Sequence, residues 1–178
     1  MASCAIAARV WFMHRTAPAY ITALGILIAD QLSKWIMIGP LDLERIQQIV
    51  LLPIFNFTWV RNFGISLGLA QAQNDTHRWL LVAATAAIAI AVAWWIRRED
   101  KAGDRIALGL VLGGAIGNII DRVRFGYVVD FLDLHFGELR PFYVFNVADA
   151  AISIGVVILL LRALLLRDKA PEGTNEHA

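Results

Sequence analysis

Four stretches of the chain are apolar for longer than a soluble amphipathic helix requires: Ala17 to Ile38, Trp79 to Ile96, Ile106 to Ile120 and Val147 to Leu166. A helix crossing about 30 Å of hydrocarbon takes roughly 20 such residues. The first stretch is broken by Asp30 and Lys34. The second is rich in alanine and free of charge. The third is short and full of glycine, so the helix is predicted to run past Asp121 to residue 122. The fourth carries Asp149 near its start and Arg162 near its end. Because lipid cannot satisfy backbone polar groups, each stretch must close its hydrogen bonds as a helix. The pattern therefore predicts an all-α polytopic membrane protein, a four-helix bundle with spans at 17–38, 79–96, 106–122 and 147–166.

Lysine and arginine placement orients the bundle. Arg97, Arg98, Lys101 and Arg105 crowd the short connection between the second and third spans, Arg9 and Arg15 precede the first, and Arg162, Arg167 and Lys169 close the fourth. Both termini are thus expected in the cytoplasm, with 39–78 and 121–146 on the outer side. The pattern changes in those outer segments. Ile49 to Val60 alternates through Phe55, Phe57 and Trp59 and reads as strand, as do Tyr127 to Leu134 and Phe142 to Phe145. A small sheet on the outer face is expected. Residues 1–16 read as an N-terminal cytoplasmic tail and 167–178 as a polar, disordered one. Between them lies a single domain, 17–166.

Composition strengthens this picture. Of 178 residues, 58% are apolar and 17% charged, and mean hydropathy is +0.61. Soluble domains are about half apolar and a quarter charged. A net charge of +1 with no basic run excludes a nucleic-acid partner, and six tryptophans suit a membrane–water interface. Cys4 is the one cysteine, which rules out an internal disulfide and a thiolate cluster. The first apolar stretch is too long for a cleaved secretory signal. A self-contained bundle needs no second subunit, so a monomer is expected.

Several motifs carry less than they promise. Gly64-Ile65-Ser66-Leu67-Gly68 matches the nucleophile elbow, which requires a strand–turn–helix that a four-span chain does not supply. His14, His77, His135 and His177 are dispersed and there is no H-E-x-x-H, so no metal and no cofactor are implied. Gly109, Gly113 and Gly117, with Gly114 beside them, stripe one face of the third span and predict close helix packing.

The carboxylates carry more. An ionised group costs at least about 2.5–3.5 kcal/mol at mid-membrane, so each needs a reason. Asp30 falls in the outer half of the first span, while Asn118, Asp121 and Arg122 fall at the outer end of the third. Asn146 and Asp149 lie at the outer end of the fourth, and Asp130 sits in the outer connection. All four aspartates converge on one side. Two carboxylates in a partly dry site share a proton, and the ionised one can activate water while the other polarises a carbonyl. Spacing alone leaves other readings open. Asp30 with Lys34 makes an ordinary intrahelical pair. Asp121 can pair with Arg122 or another base, and Asn118, Asp121 and Arg122 can form a structural knot. Asn146 and Asp149 have helix-capping spacing. A proton-coupled transporter or ion path also uses intramembrane acids.

The residues also resemble a known family. Asp30-Gln31-Leu32-Ser33-Lys34-Trp35, Arg61-Asn62-Phe63-Gly64, Gly117-Asn118-Ile119-Ile120-Asp121-Arg122, Val128-Val129-Asp130-Phe131 and Phe145-Asn146-Val147-Ala148-Asp149 are similar, in order and spacing, to the boxes of lipoprotein signal peptidase, or signal peptidase II. The resemblance runs from Ala17 to Leu166. It implies an aspartic endopeptidase of the bacterial cytoplasmic (inner) membrane that cuts prolipoproteins just before a diacylglyceryl-modified cysteine. By motif position Asp130 and Asp149 correspond to the catalytic pair. Asn62, Gly64, Asn118, Asp121, Arg122 and Asn146 correspond to substrate-binding or site-shaping residues, and Asp30 to a structural aspartate with Lys34 one turn on. The outer sheet corresponds to the family's cradle, with a short helix or lid beside it. Prolipoproteins, membrane lipid and globomycin-type peptide inhibitors are the implied partners. The chain departs from the family after Asn62, where Phe63-Gly64-Ile65-Ser66 stands in place of Thr-Gly-Ala-Ala.

Overall fold

The computed structural model describes residues 2–64, 75–137 and 139–165. Its elements are α1 (Ala2–Ile38), α2 (Leu43–Ile46), β1 (Gln48–Leu52), β2 (Phe55–Asn62), α3 (Asp75–Arg98), α4 (Ala102–Phe125), β3 (Val128–Leu134) and α5 (Val147–Leu165). Among the described residues four helices are long and apolar enough to cross a membrane: Arg15–Ile38, Asp75–Arg98, Ala102–Phe125 and Val147–Leu165. A three-stranded sheet accompanies them. This is the expected fold class. The readings for residues 167–178 and for Ile65, Ser66, Leu67 and Gly68 lie outside the described residues.

Some boundaries differ from the sequence reading: the second span starts at Asp75 rather than Trp79. Residues 1–16 are read as a tail; α1 is helical from Ala2, and its part long and apolar enough to cross a membrane begins at Arg15, close to the expected start of the first span. Alanine, the strongest helix former, is frequent there and outweighs the scattered polar residues that suggested a tail. The third span starts at Ala102 rather than near residue 106. Charge had marked that turn as a loop, but Asp104 pairs with Arg162 of α5, and Arg105 is buried. Asp104 is met within the bundle, and Arg105 keeps one contact, from Nη1 to the Glu99 carbonyl at 3.4 Å.

The α4 helix is the axis of the bundle, packing on α1, α3 and α5. Of its apolar window 61% is buried, against 22%, 17% and 17% for α1, α3 and α5, whose remaining faces are left for lipid. The glycine stripe makes this possible. A methyl group added at Gly109 or Gly113 would collide with the carbonyl oxygens of Ala19 and Ala23 on α1, and one at Gly114 with that of Ala148 on α5. From α5, a Cβ at Gly155 would lie 2.6 Å from the Ala107 carbonyl oxygen. The helices therefore meet backbone to backbone, and side-chain movement cannot relieve an intrusion.

The sheet covers one end of this bundle. β2 pairs antiparallel with both β1 and β3. The run Ile49 to Val60, read as strand throughout, folds back at Pro53 and Ile54 into a hairpin. Phe142 to Phe145 contributes a single bridge, Phe145 to Leu132, rather than a strand. A bulge in β2 then decides which way its end faces. Phe57 pairs with Leu132 but Val60 pairs with Asp130, so Thr58 and Trp59 together oppose Phe131. Since side chains alternate, one extra residue flips everything beyond it to the other face. The flip brings Asn62, paired with Val128, onto the face that carries Asp130.

Gly113→Ala is expected to lower the thermal midpoint of the detergent-solubilised protein, in line with overpacking costs of about 1–3 kcal/mol. At Gly25 an added Cβ meets nothing within 4 Å. Gly25→Ala is therefore expected to leave the midpoint unchanged or slightly raised, and equal losses for both variants would contradict the close-contact account.

Candidate active site

Lys34 is the pivot of the polar interior. Its ammonium lies 2.8 Å from Asp30 Oδ2, one turn back on α1, and 2.7 Å from Asp121 Oδ2 on α4. Lys34 is 2% exposed and both carboxylates are 0% exposed. Gln31 Nε2 donates to Asp30 Oδ2 at 3.1 Å and to Asp121 Oδ1 at 3.0 Å. Each aspartate also takes a backbone donor from another element. Ala148 N in the first turn of α5 donates to Asp30 Oδ1 at 3.0 Å, and Val129 N on β3 donates to Asp121 Oδ2 at 3.1 Å. One ion cluster thus ties α1, α4, α5 and β3 together.

Directly beside it lie Asp130 and Asp149. Asp130 is 1% exposed. Its Oδ2 accepts from Asn62 Nδ2 at 2.9 Å and its Oδ1 from Asn146 Nδ2 at 2.6 Å. Asp149 is only half-buried and accepts from Asn118 Nδ2 at 2.8 Å. Asn146 joins the two acids. While its Nδ2 reaches Asp130, its Oδ1 accepts from Asp149 N at 2.9 Å, and its own backbone N donates to Asp149 Oδ2 at 3.4 Å. This reciprocal arrangement is a capping box at the start of α5. Lys34 reaches the same amides through Asn118 Oδ1 at 3.5 Å, and Asn146 Nδ2 lies 3.3 Å from that oxygen.

The two asparagines are themselves held. Gly64, at φ 83, lets the chain turn so that its N–H donates to Asn62 Oδ1 at 2.8 Å. That bond leaves Nδ2 facing Asp130. Gly126, at φ 86, ends α4 with its N–H on the Arg122 carbonyl at 3.1 Å, turning the chain into β3. Midway along β3, Phe145 O accepts from Phe131 N at 3.0 Å and Leu132 N at 2.7 Å, which sets Asn146 alongside.

Burial pushes the Asp130 carboxyl up, and the nearby Asp149 charge pushes it further, to about 7. The amides of Asn62 and Asn146, and the charge of Lys34, act in the opposite direction and are outweighed. Arg122 on α4 is in electrostatic reach of Asp149, Asp130 and Asp121, and its buried Nε has no hydrogen-bond partner among the described residues. The arrangement therefore holds two interacting carboxyls, one dry and one partly wet, beside a guanidinium with an uncommitted donor. Such a pair can carry one proton and one charge together. Among the described residues no group of three or more His, Cys, Asp or Glu side chains could hold a metal ion.

Residues 22–165 match the family model described as Signal peptidase (SPase) II. A lipoprotein signal peptidase of Sphingopyxis alaskensis is 59% identical over 143 residues, covering 80% of this chain and 83% of that one. That of Rhizorhabdus wittichii is 52% identical over 166 residues, covering 93% and 96%. The chain belongs to the signal peptidase II family. It is a membrane peptidase, and lipoprotein signal peptidase function goes with that membership. A solved bacterial membrane enzyme superposes with a TM-score of 0.69 at 29% identity, covering 90% of this chain and 94% of the other, and a second with 0.70 at 30%, covering 85% and 94%.

The structure gathers every residue singled out from the peptidase sequence into this one region. Asn62, Asn118 and Asn146 contact the two acids, and Gly64 orients Asn62. Asp30, Lys34 and Asp121 form the adjoining ion cluster. Asp121 pairs with Lys34 rather than with its neighbour Arg122. Gln31 was quoted within a motif and given no role, although it too is a polar residue inside a span and the same rule would have flagged it. Arg78 was missed outright. Its guanidinium donates to the carbonyls of Arg122 and Val123 at the end of α4, a contact that no local pattern announces.

Lys34→Met would leave the Asp30 and Asp121 carboxylates facing each other without a counter-ion. Breaking one partner from a buried ionic group costs about 3–5 kcal/mol. The expected result is a sharp fall in folded protein recovered from membranes, measured by monodisperse yield in detergent. Normal yield and melting would show that the cluster does not hold the fold.

Proposed function

We propose that this peptidase cuts prolipoproteins on the N-terminal side of a diacylglyceryl-modified cysteine, with Asp130 and Asp149 activating the attacking water. The supporting observation is the pairing of a buried carboxyl, raised to about 7, with a more exposed one across a shared asparagine. Burial favours the proton on Asp130. In this mechanism Asp149 takes a proton from water as the oxygen attacks the scissile carbonyl. Asp130 donates to the carbonyl oxygen, and the tetrahedral intermediate collapses as the leaving amine is protonated. Arg122, whose Nε has no partner among the described residues, would stabilise developing negative charge.

The substrate reading also fits the site's level in the bundle. A lipid-anchored cysteine keeps the scissile bond close to the membrane, and the two acids lie where the helix ends meet the sheet. The enzyme would sit in the bacterial cytoplasmic membrane with both termini in the cytoplasm and this site near the outer face, as lysine and arginine placement favours. Globomycin-type peptides are the expected inhibitors.

Asp130→Asn and Asp149→Asn are each expected to give folded, membrane-inserted protein that cleaves a diacylglyceryl-modified prolipoprotein about 100- to 10,000-fold more slowly, or not at all. Normal turnover by either variant removes that residue from the pair. The pH profile offers a separate check. Raising pH through about 7 takes the proton from Asp130 and leaves two charged carboxylates with no acid between them. Activity is therefore expected to fall on the alkaline side of that value, as measured by kcat against pH.

A further inference from the structure

β3 carries a second buried carboxylate that the reaction does not use. Asp133 is 1% exposed and lies three residues beyond Asp130, so alternation places it on the opposite face of the sheet. Its Oδ2 accepts from Thr58 Oγ1 at 2.9 Å and from Arg140 Nη1 at 2.7 Å. Thr58 is one of the two bulge residues of β2, and Arg140 belongs to the connector that leads to Asn146. The bulge brings Asn62 onto the Asp130 face, and the connector delivers Asn146. These two asparagines are the amide donors on Asp130.

We infer that Asp133 is a positioning residue for the peptidase reaction, clasping Thr58 and Arg140 behind the sheet so that both amides stay aimed at Asp130. The inference rests on the assignment of Asp130 to catalysis. A buried carboxylate needs only local partners for its own stability, yet these two come from the very segments that set the Asp130 donors. Amide donors favour the ionised form of the acid they face, so a loosened clasp leaves Asp130 holding its proton more tightly. The other charged groups facing Asp130, namely Asp149 on α5, Lys34 on α1 and Arg122 on α4, are untouched by the clasp. Behind the sheet, His135 Nδ1 lies 3.9 Å from Asp133 Oδ1, and neither atom has a hydrogen-bond partner among the described residues.

The test uses the full-length enzyme in detergent micelles with a prolipoprotein bearing diacylglyceryl cysteine. Arg140→Ala and Thr58→Val are expected to lower kcat several-fold with little change in KM, and to move the alkaline limb of the kcat profile upward. Loss of part of a hydrogen bond corresponds to about half a pH unit. Arg140→Lys and Thr58→Ser, which keep the charge and the hydroxyl, are expected to restore most of the shift. His135→Gln is expected to leave the limb in place, and a limb that disappears with it would assign the titration to His135 and overturn the inference. So would a wild-type limb in both Arg140→Ala and Thr58→Val, whatever their melting temperatures, because lost stability alone changes the amount of active enzyme and not its titration. Failure of the underlying assignment reads out separately, as activity retained by Asp130→Asn.

Discussion

The structure depends on how a single ammonium is kept inside an apolar bundle. Stranded in hydrocarbon, the Lys34 charge would cost several kcal/mol. It is held by two carboxylates from two helices, and those carboxylates spend their remaining lone pairs on backbone donors from α5 and β3. Each contact satisfies a group that would otherwise be orphaned. Ala148 N is one of the unpaired donors at the start of α5, and Val129 N opens a strand. Solving the charge problem therefore also sets where α5 and β3 begin, and those are the segments that carry Asp149 and Asp130. The glycine contacts are a precondition, because α1 and α4 must lie close for one lysine to reach both acids.

This explains what could be read from the residues alone. Asp30 and Lys34 are one helical turn apart, so their pairing follows from local geometry, and span lengths follow from hydropathy. Gathering four aspartates at one end needed only depth along each helix. Rotation about the helix axes was another matter. Whether Asp121 turned toward Arg122 or Lys34 depended on which face of α4 met α1, and the glycine stripe predicted a close approach without naming its partner. The β2 bulge was invisible for a different reason. Phe55, Phe57 and Trp59 alternate perfectly, and this regularity hid the extra residue that sends Asn62 to the other side. Pro53 was the available sign that the apolar run would break, since it cannot donate to a ladder.

Asn146 and Asp149 cap α5, and the same geometry orders the acids of the proposed catalytic pair. A helix start offers N–H donors, and Asn146 satisfies one of them with its Oδ1. Its Nδ2 is then pointed away from the helix, toward β3 and Asp130. The cap thus fixes which end of the amide faces the acid, just as Gly64 does for Asn62. Neither asparagine could be replaced by aspartate on the same terms, because an acceptor would then meet an acceptor at Asp130. The choice of amides over acids at both positions is dictated by the carboxyl they serve.

The raised Asp130 carboxyl owes its environment to protein rather than lipid. An acid buried at mid-span would be dry, but water for hydrolysis could not easily reach it. At the end of the bundle water is near, and dryness has to be constructed. The sheet supplies it: Val128, on the face of Asp130, is 0% exposed, and on the opposite face Val129 and Phe131, 0% and 1% exposed, are sealed by Trp59, Met37 and Leu43. Asp149, on a helix start facing outward, stays half-buried. The two acids differ because one lies within a covered strand and the other on a helix end, so the asymmetry between the proposed proton donor and the proposed base follows from secondary structure. A small sheet on a helical bundle is then no ornament, since a four-helix protein without it would have two similar carboxyls at a wet surface and no reason for either to keep a proton.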